Sequence, residues 1–163
     1  MGVEKSLFAA LCVAMPFFAA CGLWDDGLPD VAVSVSVAPS TVTLGDTARI
    51  VVEVRNSGLE DVAVWVPGCN MDFTLRAGSG TVYHPAEQVV CPLMLRPPDT
   101  LRRGAVLRYQ NFSTGVAIEA GSVGAPALLP PGSYRVEVAV QASRGERART
   151  IVGGGAVLTF LPR

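Results

Sequence analysis

Four stretches of this chain alternate side-chain character with a period of two. Val31, Val33, Val35 and Val37 alternate with Ala32, Ser34 and Ser36, and Ala48, Ile50, Val52 and Val54 alternate with Arg49, Val51, Glu53 and Arg55. Val62, Val64 and Val66 place Trp65 on the opposite side, and Tyr134, Val136, Val138 and Val140 alternate with Arg135, Glu137 and Gln141. An extended strand turns successive side chains to opposite faces, so each stretch builds an apolar face, whereas a helix would scatter the same residues around its axis. The chain's 24 Val residues suit a pleated strand, and 17 Gly with 12 Pro interrupt it often. Many short strands joined by turns are the consequence, and a helical bundle is excluded.

Weaker signals extend the pattern. Strands are expected at Phe73 and Leu75, at Thr81 to Tyr83, around Val89 to Leu95 with Cys91 inside, and from Ala105 to Phe112. A return strand ends at Phe160 after a basic turn from Ser143 to Arg149. Asn56-Ser57-Gly58 and Pro67-Gly68 supply turns, Arg96-Pro97-Pro98-Asp99 a break, and Gly121 to Gly132 a loop rich in Gly, Ala and Pro. Strand-length segments at these intervals, with no helical period between them, read as one antiparallel β-sandwich over residues 31–163.

The charge balance narrows the partners. Thirteen Lys plus Arg against fourteen Asp plus Glu leave a net charge of -1, so nothing draws the chain toward nucleic acid or an anionic surface. After Lys5, an apolar run from Leu7 to Phe18 has the length of a signal-peptide core and is too short to span a bilayer. It ends in Phe18-Ala19-Ala20-Cys21, which resembles a bacterial lipobox, small residues preceding a cysteine that becomes lipidated. The expected organisation is a lipoprotein signal peptide at 1–20, a short tether at 21–30 containing Asp25, Asp26 and Asp30, and the sandwich beyond. Cys21 would carry a diacylglyceryl group and an N-linked acyl chain such as palmitate, and more than one chain makes release from the membrane slow. The expected location is the cell envelope, on the periplasmic or outer-surface side.

With Cys12 in the signal and Cys21 lipidated, Cys69 and Cys91 remain. In an oxidising compartment they are expected to form a disulfide, with two free thiols as the alternative. A metal site needs three or four ligands, and the single histidine, His84, with no CxxC spacing offers too few. His84 stands between Tyr83 and Pro85 in an expected surface turn, without a nucleophile elbow nearby, so no catalytic residue and no cofactor are assigned. Arg96, Arg102, Arg103 and Arg108 form the densest basic cluster, either a solvated strand face or a contact for an acidic protein or lipid headgroups.

Three stretches carry a resemblance beyond composition: Leu44-Gly45-Asp46-Thr47-Ala48-Arg49-Ile50 running on to Val54-Arg55-Asn56; Asp72-Phe73-Thr74-Leu75 with Gly80-Thr81-Val82-Tyr83; and Leu129-Pro130-Pro131-Gly132-Ser133-Tyr134-Arg135-Val136. In that order they resemble the Bacillus-type intracellular proteinase inhibitor (BsuPI-like) family. The resemblance implies an immunoglobulin-like antiparallel β-sandwich over about residues 33–161, with Gly45-Asp46 and Pro131-Gly132 in turns. The family's central Pro-Gly turn is replaced by Pro97-Pro98-Asp99, and Tyr109 or Phe112 stands where its tryptophan would be. The expected function is therefore a non-enzymatic, lipid-anchored protein-binding module, with proteinase inhibition as the activity the resemblance implies. The alternative is a structural or assembly accessory of a cell-envelope complex.

Overall fold

Among the described residues the alternating segments become strands. The computed structural model describes residues 30–65, 73–86 and 97–163. Among them lie β1 (Val31–Ala38), β2 (Thr41–Thr43), β3 (Ala48–Asn56), β4 (Val62–Trp65), β5 (Phe73–Ala77) and β6 (Val82–Pro85). There follow β7 (Asp99–Leu101), β8 (Val106–Ser113), β9 (Val116–Glu119), β10 (Ala127–Leu128), β11 (Gly132–Arg144) and β12 (Arg147–Leu161). The strand expected around Val89 to Leu95 lies outside the described residues.

Two sheets result. One is ordered β1-β3-β8 and antiparallel throughout, with Val31 opposite Asn56 and Arg55 opposite Val106 at one end. The other runs β10-β9-β6-β5-β11-β12-β2, with β4 joining β11 and β7 bordering β4. β11 is its axis: the first half pairs with β5, the last part with β4, and the opposite edge with β12. The chain leaves the first sheet at Pro39, whose peptide bond is cis, and enters the second as β2, parallel to β12. The whole is an all-β fold whose antiparallel sheets form a curled, sandwich-like arrangement.

Burial follows the period of two. Ile50, Val52 and Val54 of β3 are fully buried and share one apolar cluster with Val136, Val138 and Val140 of β11 and with Phe73, Leu75, Leu158 and Phe160. Each such aliphatic side chain withdrawn from water contributes about 1.5–3 kcal/mol. The same period carries Asn56 inward at the end of β3, so a polar side chain closes the apolar row.

Three details depart from the sequence expectation. The basic turn shrinks to two residues, Gly145 and Glu146, between Arg144 and Arg147, because Gly145 adopts φ 59° at the first central position of a tight hairpin. Pro131-Gly132 is not the centre of a turn: Gly132, with φ 156°, already pairs with Phe160 as the first residue of β11. The register of β11 and β12 also slips between Arg135 and Glu137, where β12 inserts an extra residue beside Gly155 at φ 123°. The turn before β3 is as expected: Asp46 N–H donates to Thr43 C=O at 2.9 Å, with Gly45 at φ 96°.

Tyr134 anchors the start of β11. Its hydroxyl donates to Pro130 C=O at 2.6 Å, and its ring meets Tyr83 and Phe160 edge-on at 5.9 and 6.0 Å. Burial first, and Tyr83 second, push the phenol above its ordinary value near 10. The neutral phenol therefore stabilises the fold fully below pH 10, and that contribution is lost as pH rises through the higher folded value. Tyr134→Phe is expected to cost about 1 kcal/mol at neutral pH and to flatten the alkaline fall in Tm. An alkaline profile identical to the parent's would refute the link.

Candidate functional site

Cys12, Cys21, Cys69 and Cys91 all lie outside the described residues. The expected Cys69–Cys91 disulfide is corrected accordingly: both cysteines fall outside the described residues, and no disulfide is found. The pairing came from an inventory of thiols and a compartment, and neither carries geometry.

The outward face of the larger sheet collects several of the remaining candidates. His84 lies in β6 rather than in a turn, exposed, with Ile118 of β9 as its cross-strand partner. Next across the sheet, Arg76 Nε meets both carboxylate oxygens of Glu137 at 3.0 Å, and its Nη2 lies 2.9 Å from Oε2. That hydrogen bond, and then the carboxylate's charge, raise the guanidinium's pKa further above its ordinary value. Thr74, Arg76, His84, Glu137, Ala139 and Val152 border a shallow groove of about 340 Å³, and a second of about 350 Å³ continues past Arg76 to Arg135 and Val157. The hydroxyl lining the first belongs to Thr74, whose Oγ1 lies 3.5 Å from Glu137 C=O, a long contact for a hydrogen bond.

Apolar side chains flank this charged centre. Trp65 is opposite Gln141, Val152 opposite Ala139, and Val157 opposite Arg135, so the period of two turns all three outward. They are 50%, 67% and 49% exposed. Among the described residues no group of three or more His, Cys, Asp or Glu could hold a metal ion.

The basic cluster divides. Arg96 lies outside the described residues, and Arg108 pairs with Glu53 across β3 and β8 at 2.7 Å. Arg102 and Arg103 sit elsewhere, in the exposed turn between β7 and β8. That turn is built around Asn56, whose Nδ2 donates to Glu60 C=O at 2.7 Å and to Leu101 C=O at 3.0 Å. Its Oδ1 accepts from Gly58 N–H at 3.0 Å, and its backbone exchanges hydrogen bonds with Gly104 and Ala105. One buried amide thus holds the β3–β4 loop and the β7–β8 turn together. Arg103 N–H donates to Asp61 at 2.9 Å, Arg144 at the β11–β12 hairpin meets Glu60 at 3.2 Å, and Ser57 donates to Asp30 C=O. Asp30 immediately precedes β1.

No protein-family model matches this chain, and no curated protein matches it. Among solved structures it is similar to a CARDB domain from Pyrococcus furiosus solved with two metal ions, at 14% identity over 82% of this chain and 90% of that one, TM-score 0.46. It is similar also to the seventh PapD-like domain of human CEP192, at 11% identity over 100% and 99%, TM-score 0.43. A β-glucosidase from Erythrobacter marinus matches at 16% identity over 82% of this chain and 16% of that one, TM-score 0.41. None of these brings a ligand or an activity to this chain.

Sequence reasoning took Asn56 as a turn residue. The signal that places it inside was present, because Ala48, Ile50, Val52, Val54 and Asn56 continue one alternation. The convergence of Arg76, Glu137 and His84 left no such signal, since β5, β6 and β11 are adjacent only through strand order.

Proposed function

We propose that this chain is a lipid-anchored, protein-binding module of the cell envelope with an immunoglobulin-like β-sandwich. The finer fold reading is supported by the switch of the first strand between sheets and by the Tyr134–Pro130 lock at the start of β11, a corner found in immunoglobulin-like domains. Tyr134 and Pro130 both belong to a stretch that resembles the BsuPI-like family. The binding reading is carried by one observation: Trp65, Val152 and Val157 stand exposed on the face that holds the Arg76–Glu137 pair. Tryptophan and arginine dominate the energetics of protein interfaces, and grooves of this shallowness suit a partner's surface better than a small substrate.

A photo-cross-linking residue at Val152 of the full chain, in intact cells, tests this face against one at Ser34 on the outer side of the smaller sheet. Discrete polypeptide adducts are expected from position 152 and not from 34; equal adducts from both, or none, reject the reading. Cys21→Ser is expected to move the protein from the membrane to the soluble fraction, and an unchanged distribution rejects the anchor. Titration of the purified chain against serine proteases separates inhibition from binding alone, since an inhibitor slows its target stoichiometrically.

A further inference from the structure

We propose that the partner bound on the outward face of the larger sheet presents an acidic side chain to Arg135, seated between Arg76 and Val157; the inference rests on the protein-binding reading above and names the partner's chemistry. Arg135 stands directly opposite Arg76 of β5 on one side and Val157 of β12 on the other. Like charges set opposite one another in a sheet destabilise it. The neighbouring carboxylate, Glu137, lies two residues along β11 on the same face and is engaged by Arg76 through both its oxygens. Arg76 Nη1 also reaches Gly80 C=O at 3.4 Å. Among the described residues Arg135 makes no ion pair and no side-chain hydrogen bond, so its fork of N–H donors is open to a ligand. Two guanidinium groups against one carboxylate leave this spot one positive charge in excess, which an incoming carboxylate neutralises with a paired, planar hydrogen-bonding geometry.

The backbone builds an apolar wall beside the same spot. Were the pairing of Glu137 with Gly154 continued, Arg135 would face Ala156; the extra residue at the Gly155 bulge brings Val157 to that place instead. Bulges often re-aim a side chain next to a functional site. Val157 is exposed there, whereas Ala156 packs against the core. The groove past these residues is lined by Gly78, Gly80 and Ser133, so no bulky side chain blocks the approach to Arg135. The hydroxyls of Ser133 and Thr159 share one hydrogen bond at 2.9 Å, which uses one of their two hydrogens and leaves the other to donate to an acceptor in the groove. Arg49, exposed on the outer side of the smaller sheet, offers a contrast: its cross-strand neighbours are Ala38 and Phe112, with no second guanidinium opposite. The fitting partner therefore presents an Asp or Glu with an apolar side chain beside it, the acid for Arg135 and the apolar group for Val157.

Photo-cross-linking from p-benzoylphenylalanine at position 152 of the full chain, in intact cells, is repeated in Arg135→Gln, Arg135→Glu and Arg49→Gln. The yield of polypeptide adducts is expected to fall several-fold in Arg135→Gln, further in Arg135→Glu, and to stay at the parent's level in Arg49→Gln. The partner segment joined to position 152 is expected to lie near an Asp or Glu whose replacement by Arg restores the yield in Arg135→Glu. The Tm of purified Arg135→Gln is expected to equal or exceed the parent's, because the opposed charges are gone; an arginine kept for the fold would give a lower Tm, and that result overturns the inference. Unchanged yields in both Arg135 variants, with the parent still cross-linked, overturn this inference and leave the binding reading standing. A parent chain that gives no polypeptide adducts from 152 overturns the binding reading, and this inference with it. Equal losses in Arg49→Gln and Arg135→Gln assign the effect to overall charge and overturn it, as do adducts to lipid in place of polypeptide.

Discussion

Asn56→Ala is expected to lower the stability of the sandwich by about 3 kcal/mol, read as a fall of roughly 1–2 M in the urea midpoint with an unchanged slope. The side chain is wholly buried and makes three hydrogen bonds, so truncation strands the carbonyls of Glu60 and Leu101 and the amide of Gly58. The size of the loss comes from those unpaired groups, because an unsatisfied buried polar atom costs more than a single bond contributes on average. Asn56→Asp separates this account from simple cavity formation. It keeps the volume but aims a carboxylate at two carbonyl oxygens, so it is expected to be at least as damaging at neutral pH and milder in acid. Ser57→Ala, at an exposed neighbour, is expected to change stability by less than about 0.5 kcal/mol. A loss of that small size in Asn56→Ala would remove the amide from its place as organiser of the β3–β4 loop and the β7–β8 turn.

Gly153→Ala is the second large expectation, at about 3 kcal/mol. Gly153 is buried where β12 passes β1, and a Cβ there would lie 2.6 Å from Val33 Cβ and 2.9 Å from Val33 carbonyl oxygen. Real Cβ atoms do not approach so closely, so one strand has to move. Gly154→Ala, one residue on, would meet its first obstacle only at 3.3 Å and is expected to cost far less. Val33→Ala in the Gly153→Ala background removes the γ-methyl groups but neither the Cβ nor the carbonyl, so the rescue is expected to be partial. Equal losses at 153 and 154 in thermal unfolding would show that contact with β1 is not what makes glycine necessary at position 153.

Legibility divides along the range of the interaction. The alternations at Val31 to Val37, Ala48 to Val54 and Tyr134 to Val140 announced β1, β3 and β11 because a strand's two faces are read from neighbouring residues. The same local logic reached Gly45, whose positive φ belongs to a four-residue turn. It overreached at Pro131-Gly132, where a familiar turn dipeptide instead opens a strand. The cysteine pair failed for the opposite reason: two thiols can be counted in a sequence, but the separation of their Cα atoms depends on everything between them.

Strand content, the inward faces and the charge balance are thus properties of the linear chain, set by side-chain chemistry repeated over a few residues. Tertiary structure alone decided that β11 takes β5 and β4 along one edge and β12 along the other. That order sets Arg76 against Glu137, 61 positions apart, and turns Trp65, Val152 and Val157 to one surface. It also brings Asp30, Asn56, Arg102, Arg103 and Arg144 to a single end. Strand order is chosen by how all the apolar faces pack together, so residues brought together by it carry no mark of one another in the sequence.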